Sequence, residues 1–543
     1  NSVVLARPHA SPWWRCGAKR SSRKFSRRRS SEFSRAMCQT RVSPEPWLVG
    51  RWRRVALAAT LNRGSRRACL WFCKCLLIFP LLFMGAWALS PLAWATWSGS
   101  TITAREHLTQ HHLRLAAVFA AMFLLRLLLF LLLPLPSDAE ATEWKNDPAM
   151  AARVGVLIPC HRSAAEIGRT LKSVIRHIPP GNIVVIDNSN EPNPPDETKA
   201  VVASVHPKIV YRYLGVGHKT NALSVGLQQL PRSCDFVLHL DDDTMLPEHF
   251  VLDEGKFTDD AVSAISYGIE MVHENQVQAA VDFEFKLFST TRALADHWST
   301  IWFCHGIVGL WRRERFERAM ADHPFLPFGE DNWLGMLNLL HNCRMGMEYR
   351  SFVRTFAPPT LLPPPPCVGH LGFHERLQGY GASSVWKQRA HRWYVNAPRR
   401  TAWRLLLLLL YDCGEWWRNA GFRLASLLHL WHIWFVLAQL PIELLAISTH
   451  GEWLFFALWN GLTYTTGILE GAVMNYVVWR RSPSRQVALR TVILQPAYNY
   501  FLHVGCIYGH WRSVLYYIPC WPMEYRGSPK ATGLGAGNGL PQL

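Results

Sequence analysis

Continuous apolar runs and amphipathic periods divide the chain into regions suited to different surroundings. Residues 68–97 and 113–136 are apolar almost throughout, and each exceeds the about 20 residues that a bilayer crossing takes. Three more apolar stretches, 421–448, 453–478 and 487–509, lie late in the chain. From Ser137 to about Arg400, short apolar runs alternate instead with amphipathic segments. RVGVLIP (153–159), NIVVIDNSN (182–190), IVYRYL (209–214) and CDFVLHLDDD (234–243) read as strands. Ile167, Leu171, Val174 and Ile175 share one face of a helix predicted over 164–177, with Ser163 placed to cap it. Strands apolar on both faces and alternating with helices predict an α/β domain around a mostly parallel sheet. Ligands of such sheets bind beyond the carboxyl ends of the strands, where Asp187 and Asp241–Asp243 stand.

Composition narrows the class. Of 543 residues, 49% are hydrophobic and 18% charged, against about 25% charged in ordinary soluble domains. That excludes a disordered or fibrous chain and a typical highly charged soluble enzyme. The net charge of +19 is concentrated: residues 1–67 hold 17 Arg and Lys against Glu32 and Glu45, and the other 476 residues carry only +4. Residues 21–35 (SSRKFSRRRSSEFSR) are low-complexity and expected to be disordered. Aromatic residues are not interleaved with the arginines as base stacking requires, so no nucleic-acid partner is expected. By the positive-inside rule, the tail, the middle segment and the loop holding Arg480, Arg481, Arg485 and Arg490 belong in the cytosol. Thirteen cysteines without a CxxC pair fit reduced thiols, with Cys73 and Cys75 the one close cluster. The expected order is a basic tail (1–67), two transmembrane helices (68–136), a cytosolic domain with an interfacial helix near its end (137–400), transmembrane helices (401–509) and a tail (510–543). Such a chain is a multi-pass integral protein of the plasma membrane or Golgi with the bilayer as partner. Because it opens on Asn1 rather than Met, a fragment or an over-extended frame is expected.

Three adjacent acids at a buried strand end are costly unless a cation neutralises them. Asp241 and Asp243 facing one way, with Asp242 turned aside, suit Mg²⁺ or Mn²⁺ held jointly with substrate phosphates. The plainer alternative is an acidic turn before Thr244 and Pro247.

Further motifs follow in a fixed order: VLIPCHRS (156–163), VVIDNSN (184–190), GHKTNALSVGL (217–227), DDD (241–243), FCHGIVGLWRRERF (303–316), GED (329–331) and QRAHRW (388–393). Taken together they resemble the membrane-integrated family 2 glycosyltransferases, namely the cellulose, chitin and hyaluronan synthases. The resemblance implies a GT-A-like, Rossmann-like cytosolic domain inserted between transmembrane α-helices. It implies that Asp187 meets the uracil end of a UDP-sugar, that Lys219 and Arg392 lie near its phosphates, and that Asp241 and Asp243 hold the metal. It also implies His305, Gly306 and Trp393 on the acceptor side, with Asp331 as base and Glu330 tuning it. Five positions depart from the family wording: Cys160, His161 and Arg162 follow the first strand, Asn188 replaces a second acid, and Arg389 stands where a glutamine is usual, with Gln388 one residue early. Ceramide glucosyltransferase is similar in allowing Arg or Gln there.

A departing diphosphate needs positive charge, and an acceptor hydroxyl needs a base. One base without a covalent carboxylate nucleophile implies a single in-line displacement and inversion. The expected activity is transfer from a UDP-sugar to a growing β-linked polysaccharide, with export of the polymer. The alternative is single transfer to a membrane lipid, ceramide or polyprenyl phosphate, and a silent membrane scaffold stands behind both. Plain readings of single residues also stand: Asp331 as a helix cap, Trp393 as an interfacial anchor like Trp386 and Trp403, His305 as a core histidine. Arg126, His429, His432, Glu443 and Glu470, with Trp431, Trp434 and Tyr464, are the candidate lining of a glycan route through the spans.

Overall fold

A computed structural model describes residues 120–121, 123–188, 193–215, 219–323, 329–363, 384–394, 397–430, 433, 437 and 453–513. The predicted strands form where expected: β1 Val154–Cys160, β2 Ile183–Asn188, β3 Val210–Leu214 and β4 Phe236–Leu240. Every residue of β1, β2 and β4 is buried. Alternation sends Val156, Ile158 and Val185 to one core and Leu157, Val184 and Ile186 to the other. Helix α1 (Ile167–Val174) covers the first face with Ile167, Leu171 and Val174. Helix α2 (Lys219–Gln229) covers the second with Ala222, Leu223 and Leu227. A Cβ on Gly226 would sit 3.0 Å from Ile186 Cγ1 and 3.1 Å from Leu157 Cδ2, so glycine lets α2 lie this close to the sheet.

β1 pairs in parallel with β2 and β4, and β2 with β3. Three strands beyond the sequence reading complete the sheet: β5 Val262–Val272, β6 Val308–Arg312 and β7 Arg344–Phe356. β6 runs antiparallel between β4 and β5, while β7 is parallel to β5. The order β3-β2-β1-β4-β6-β5-β7 is a GT-A-like, mostly parallel seven-stranded sheet. Its packing helices include α3 (Gln276–Trp298), α4 (Glu330–Leu340) and α5 (Ala397–Leu410). A π-turn over Arg389–Trp393 precedes α5, and α6 (Trp453–Val473) and α7 (Leu489–Arg512) follow it.

Among the described residues no helix is long and apolar enough to cross a membrane, so the transmembrane helices expected here find no support. For the two longest late helices the reason is polarity, not length. α6 has 21 residues but includes Asn460, Thr463, Thr465, Thr466 and Glu470. α7 has 24 but includes Arg490, Gln495, Asn499 and His503. Arg126 and Glu470, expected as isolated charges of a glycan route, form an ion pair at 3.0 Å, and the Tyr464 hydroxyl donates to the Ile493 carbonyl at 2.9 Å. Trp386 packs on Phe501 and Tyr508, and Trp403 meets Trp333 edge to face, so both have partners within the protein. The basic tail, the 68–97 segment, Cys73, Cys75, Trp431, His432, Trp434 and Glu443 lie outside the described residues. The six cysteines within them are free thiols.

Candidate active site

The carboxyl ends of β2, β1 and β4 open on one side of the sheet. Asp187, one residue before the end of β2, is buried, and burial pushes its carboxyl above the usual range. Tyr211 in β3 donates its hydroxyl to Asp187 Oδ2 at 2.8 Å, while Oδ1 has no partner among the described residues. A buried acceptor with a free lone pair suits a base N–H. Just past β1, His161 links this strand end to the next. Its Nδ1 lies 2.7 Å from the Asn188 carbonyl and must carry the proton, and its backbone N–H donates to Asp242 at 3.3 Å. The Ser163 hydroxyl also donates to Asp242. Ser163 is therefore not the side-chain cap predicted for α1; Glu166 stands at the N-cap of that helix without a side-chain cap bond, and the Ser163 hydroxyl is taken up by the acid cluster.

The three acids after β4 turn toward different partners. Asp241 Oδ1 accepts from Lys219 Nζ at 2.5 Å, Asp242 faces Ser163, and Asp243 accepts from Thr355 of β7 at 3.1 Å. Burial raises the carboxyls of Asp242 and Asp243, to about 6 and about 8, and neighbouring carboxylates push the same way. Among the described residues no group of three or more His, Cys, Asp or Glu is arranged to hold a metal ion. Asp241 and Asp243 nevertheless fit a divalent cation that completes its shell with phosphate oxygens and water: both offer hard oxygens in a cluster of three carboxylates, of which Asp241 is bound to Lys219.

Lys219, the first residue of α2, joins the other half of the site. Its Nζ lies 3.1 Å from Glu330 Oε1 and donates to the Gly306 carbonyl at 3.0 Å, besides its bond to Asp241. The Gly306 N–H in turn donates to Asp331 Oδ2 at 3.1 Å. Asp331 is not the cap of α4, which is Gly329 in the left-handed region at φ 73°. Its other oxygen accepts from the backbone and side-chain nitrogens of Asn332 at 2.7 and 2.9 Å. The two adjacent acids then diverge. Burial and the Glu330 charge push the Asp331 carboxyl up. Burial also opposes the charge of Glu330, but Lys219 beside it outweighs that and holds Glu330 below its usual range. Where adjacent carboxyls are driven apart, one is poised to take a proton and the other stays charged.

The structure thus brings Lys219, Asp241, Gly306, Glu330 and Asp331 into direct contact, with Asp243 adjoining and Asp187 at the far strand end. Arg392 is exposed and within electrostatic reach of Asp241. His305 is buried; its ring packs against Phe285 and Trp393, and burial holds it neutral. Trp393 also lies 3.9 Å from the Arg389 guanidinium, which is itself bound to Glu284 at 2.7 Å. Sequence reasoning passed over His161, Ser163, Tyr211 and Thr355. His161 and Ser163 left a signal in the VLIPCHRS motif, and Tyr211 alternates on the strand next to β2, opposite Val185. Thr355 left none, since β7 reaches the site by a register that no motif encodes.

A mostly parallel GT-A-like sheet with acids at its strand ends and a buried carboxyl across from them fits an enzyme that takes sugar from a nucleotide sugar. Residues 151–363 match the family described as "Glycosyltransferase like family 2", so the chain carries a family 2 glycosyltransferase domain and is a glycosyltransferase. Among solved structures, the mannosyltransferase PcManGT from Pyrobaculum calidifontis in complex with GDP-Man and Mn²⁺ is similar at 16% identity and TM-score 0.44, over 73% of this chain and 98% of that one. S. aureus TarS 1-349 in complex with UDP-GlcNAc is similar at 15% identity and TM-score 0.33, over 68% and 92%. No curated protein matches the chain.

Proposed function

We propose that the chain is an inverting glycosyltransferase that moves a sugar from a UDP-sugar to a growing β-linked polysaccharide at a membrane. The observation that carries this reading is the chain of contacts Asp241–Lys219–Gly306–Asp331, which sets a base carboxyl one backbone unit from the group beside the leaving phosphate. Asp331 takes the proton of the acceptor hydroxyl, held in place by the Gly306 N–H and raised in basicity by burial and by Glu330. Asp187 receives the uracil through its free oxygen. Lys219 stays cationic between Asp241 and Glu330, and Arg392 adds charge at the open side. Asp241 and Asp243 are the residues that would hold Mg²⁺ or Mn²⁺, which when bound supplies positive charge to a departing diphosphate. The other carboxyls of the site are engaged, Glu330 and Asp241 by Lys219 and Asp243 by Thr355, which favours a single in-line displacement. His305, Gly306 and Trp393 form the acceptor side, with Trp393 a flat face for a sugar ring.

Membrane attachment and a cytosolic catalytic domain belong to the same reading, supported by exposed apolar side chains such as Leu124, Leu128, Leu132, Leu409 and Trp416. The alternative acceptor is a membrane lipid that receives one sugar. The test offers the full chain radiolabelled UDP-glucose, UDP-N-acetylglucosamine and UDP-glucuronate with Mn²⁺ or Mg²⁺ and sizes the product. A long β-linked polymer supports the synthase, a single lipid-extractable sugar supports the alternative, and unchanged transfer by Asp331→Asn overturns the assigned base.

A further inference from the structure

β4 carries one polar side chain in an otherwise apolar strand, His239. Its neighbours Leu238 and Leu240 are fully buried, and another apolar side chain would fit between them at less cost in desolvation. His239 is itself buried and uses both ring nitrogens inside the protein. Trp311 of β6, fully buried, donates its indole N–H to Nδ1 at 2.9 Å. An indole nitrogen can only donate, so Nδ1 carries no proton, the ring is neutral and Nε2 bears the hydrogen. Nε2 then donates to the His305 carbonyl at 3.1 Å. The ring lies close over Gly309, its antiparallel partner on β6, where a Cβ would stand 2.7 Å from His239 Cε1. Glycine at 309 thus leaves room for the ring, and tryptophan at 311 fixes which nitrogen carries the proton.

The His305 carbonyl belongs to the same peptide unit as the Gly306 N–H, which donates to Asp331 Oδ2 at 3.1 Å. Three hydrogen bonds therefore run in one direction, from Trp311 to His239, from His239 to this peptide, and from the peptide to the carboxyl assigned as base. The carbonyl also accepts from the Val308 N–H at 3.1 Å, so the turn satisfies it without the histidine. What the histidine adds is a fixed peptide plane and a polarised amide. A donor on the carbonyl oxygen makes the N–H of the same amide a stronger donor in turn.

We propose that His239, oriented by Trp311, is a positioning residue for the base: it holds the 305–306 peptide so that the Gly306 N–H stays on Asp331. This rests on the reading of Asp331 as base and adds a residue that acts only through the peptide. A donor bound to the charged form of a carboxyl favours that form, so the relay eases the ionisation that burial and Glu330 oppose. The other groups facing Asp331 are Lys219 of α2, Arg292 of α3, Arg400 of α5 and the buried Cys304 thiol of the loop. Cutting the relay alters none of them.

The test follows UDP release against pH by the full chain with Mn²⁺, offering UDP-glucose, UDP-N-acetylglucosamine and UDP-glucuronate in parallel. His239→Asn keeps an acceptor for Trp311 but is too short to reach the His305 carbonyl. It should lower kcat roughly tenfold with the KM for donor within about twofold, and move the acid limb of kcat up by roughly a few tenths of a pH unit. Trp311→Phe releases the tautomer of His239 and should move the limb the same way by less. His239→Gln reaches the carbonyl with an amide N–H and should recover most of the lost rate and bring the limb back. A role in packing alone would lower the melting temperature, leave the limb in place and give Gln no advantage over Asn. A fixed limb or an unchanged kcat in His239→Asn overturns the positioning role while the enzyme reading stands. Should that variant not fold, a fixed limb in Trp311→Phe overturns it instead. If Asp331→Asn transfers as fast as the parent, or the parent turns over none of the three donors, the base or the enzyme reading falls first and the relay with it.

Discussion

At the scale of single residues, Glu330 and Asp331 are neighbours in sequence held in opposite fields. Lys219 keeps Glu330 ionised, whereas burial and the Glu330 charge make Asp331 reluctant to ionise. A base must be deprotonated to act, so activity should fall as pH drops through a raised Asp331 value. The acid limb of kcat against pH should therefore lie above the ordinary aspartate range. Glu330→Gln removes a nearby negative charge and frees Lys219 to act on Asp331, both of which lower its pKa. The limb should move to lower pH in that variant; a limb that stays or moves up would mean another group controls it. Asp331→Asn should reduce kcat by about 10²–10⁴-fold with the melting temperature little changed, since general base catalysis is typically worth that much. Gly306→Ala tests the position of the same base: its Cβ would come within 3.3 Å of Asp331 Oδ2 and of Glu330 Oε1. It should lower kcat more than it raises the KM for donor, as steady-state kinetics with varied UDP-sugar would report.

At the scale of elements, the site depends on how closely helices are pinned to the acceptor loop. A Cβ on Gly335 of α4 would stand 2.4 Å from Phe303 Cβ and 2.5 Å from the Trp302 carbonyl, so Gly335→Ala must push α4 and the loop apart. Overpacking of this kind costs about 1–3 kcal/mol, and here it should also weaken transfer because Asp331 and Gly306 lie on the two separated elements. The π-turn is pinned differently. Arg389 donates to Glu284 of α3 at 2.7 Å, and Tyr498 of α7 donates to the same carboxylate at 2.8 Å. Arg389→Ala leaves Glu284 short of its cation and should cost about 3 kcal/mol in thermal or denaturant unfolding. Tyr498→Phe removes one hydrogen bond and should cost about 1–2 kcal/mol. Strands β1, β2 and β4 were legible in the sequence because buried parallel strands are short, apolar and bounded by polar turns, and β3 because Val210, Tyr211 and Tyr213 favour extended backbone. β5 to β7 were not: β7 runs 13 residues through charged positions such as Glu348, Arg350 and Arg354, and Arg350 and Arg354 find Asp253 and Glu270 far away in sequence. Arg389 shows the same limit. Its departure from the usual glutamine was visible, but its role at the junction of α3 and α7 depends on Glu284, more than a hundred residues away.

At the scale of the whole molecule, the basic residues of the sequence and the exposed apolar side chains of the described residues should each dominate membrane contact under different conditions. The first 67 residues carry +15 of the net +19, while exposed leucines at 124, 128 and 132 repeat every fourth residue, one face of a helical period. Attraction of the tail to an anionic surface should be screened within about 10 Å at 0.1 M salt, whereas contact through exposed apolar side chains should not be. Deleting residues 1–67 should therefore remove the salt-sensitive part of binding to phosphatidylserine-containing vesicles and leave a salt-resistant remainder. Replacing Leu124, Leu128 and Leu132 with glutamate in the full chain should do the reverse, so that binding persists at low salt and vanishes at high salt. Flotation of each variant across a salt series reads both terms. If the glutamate variant floats as well as the parent at every salt concentration, the leucine face does not meet lipid. A parent chain that stays at the bottom of the gradient and elutes as a dimer would show that a second protein copy covers that face.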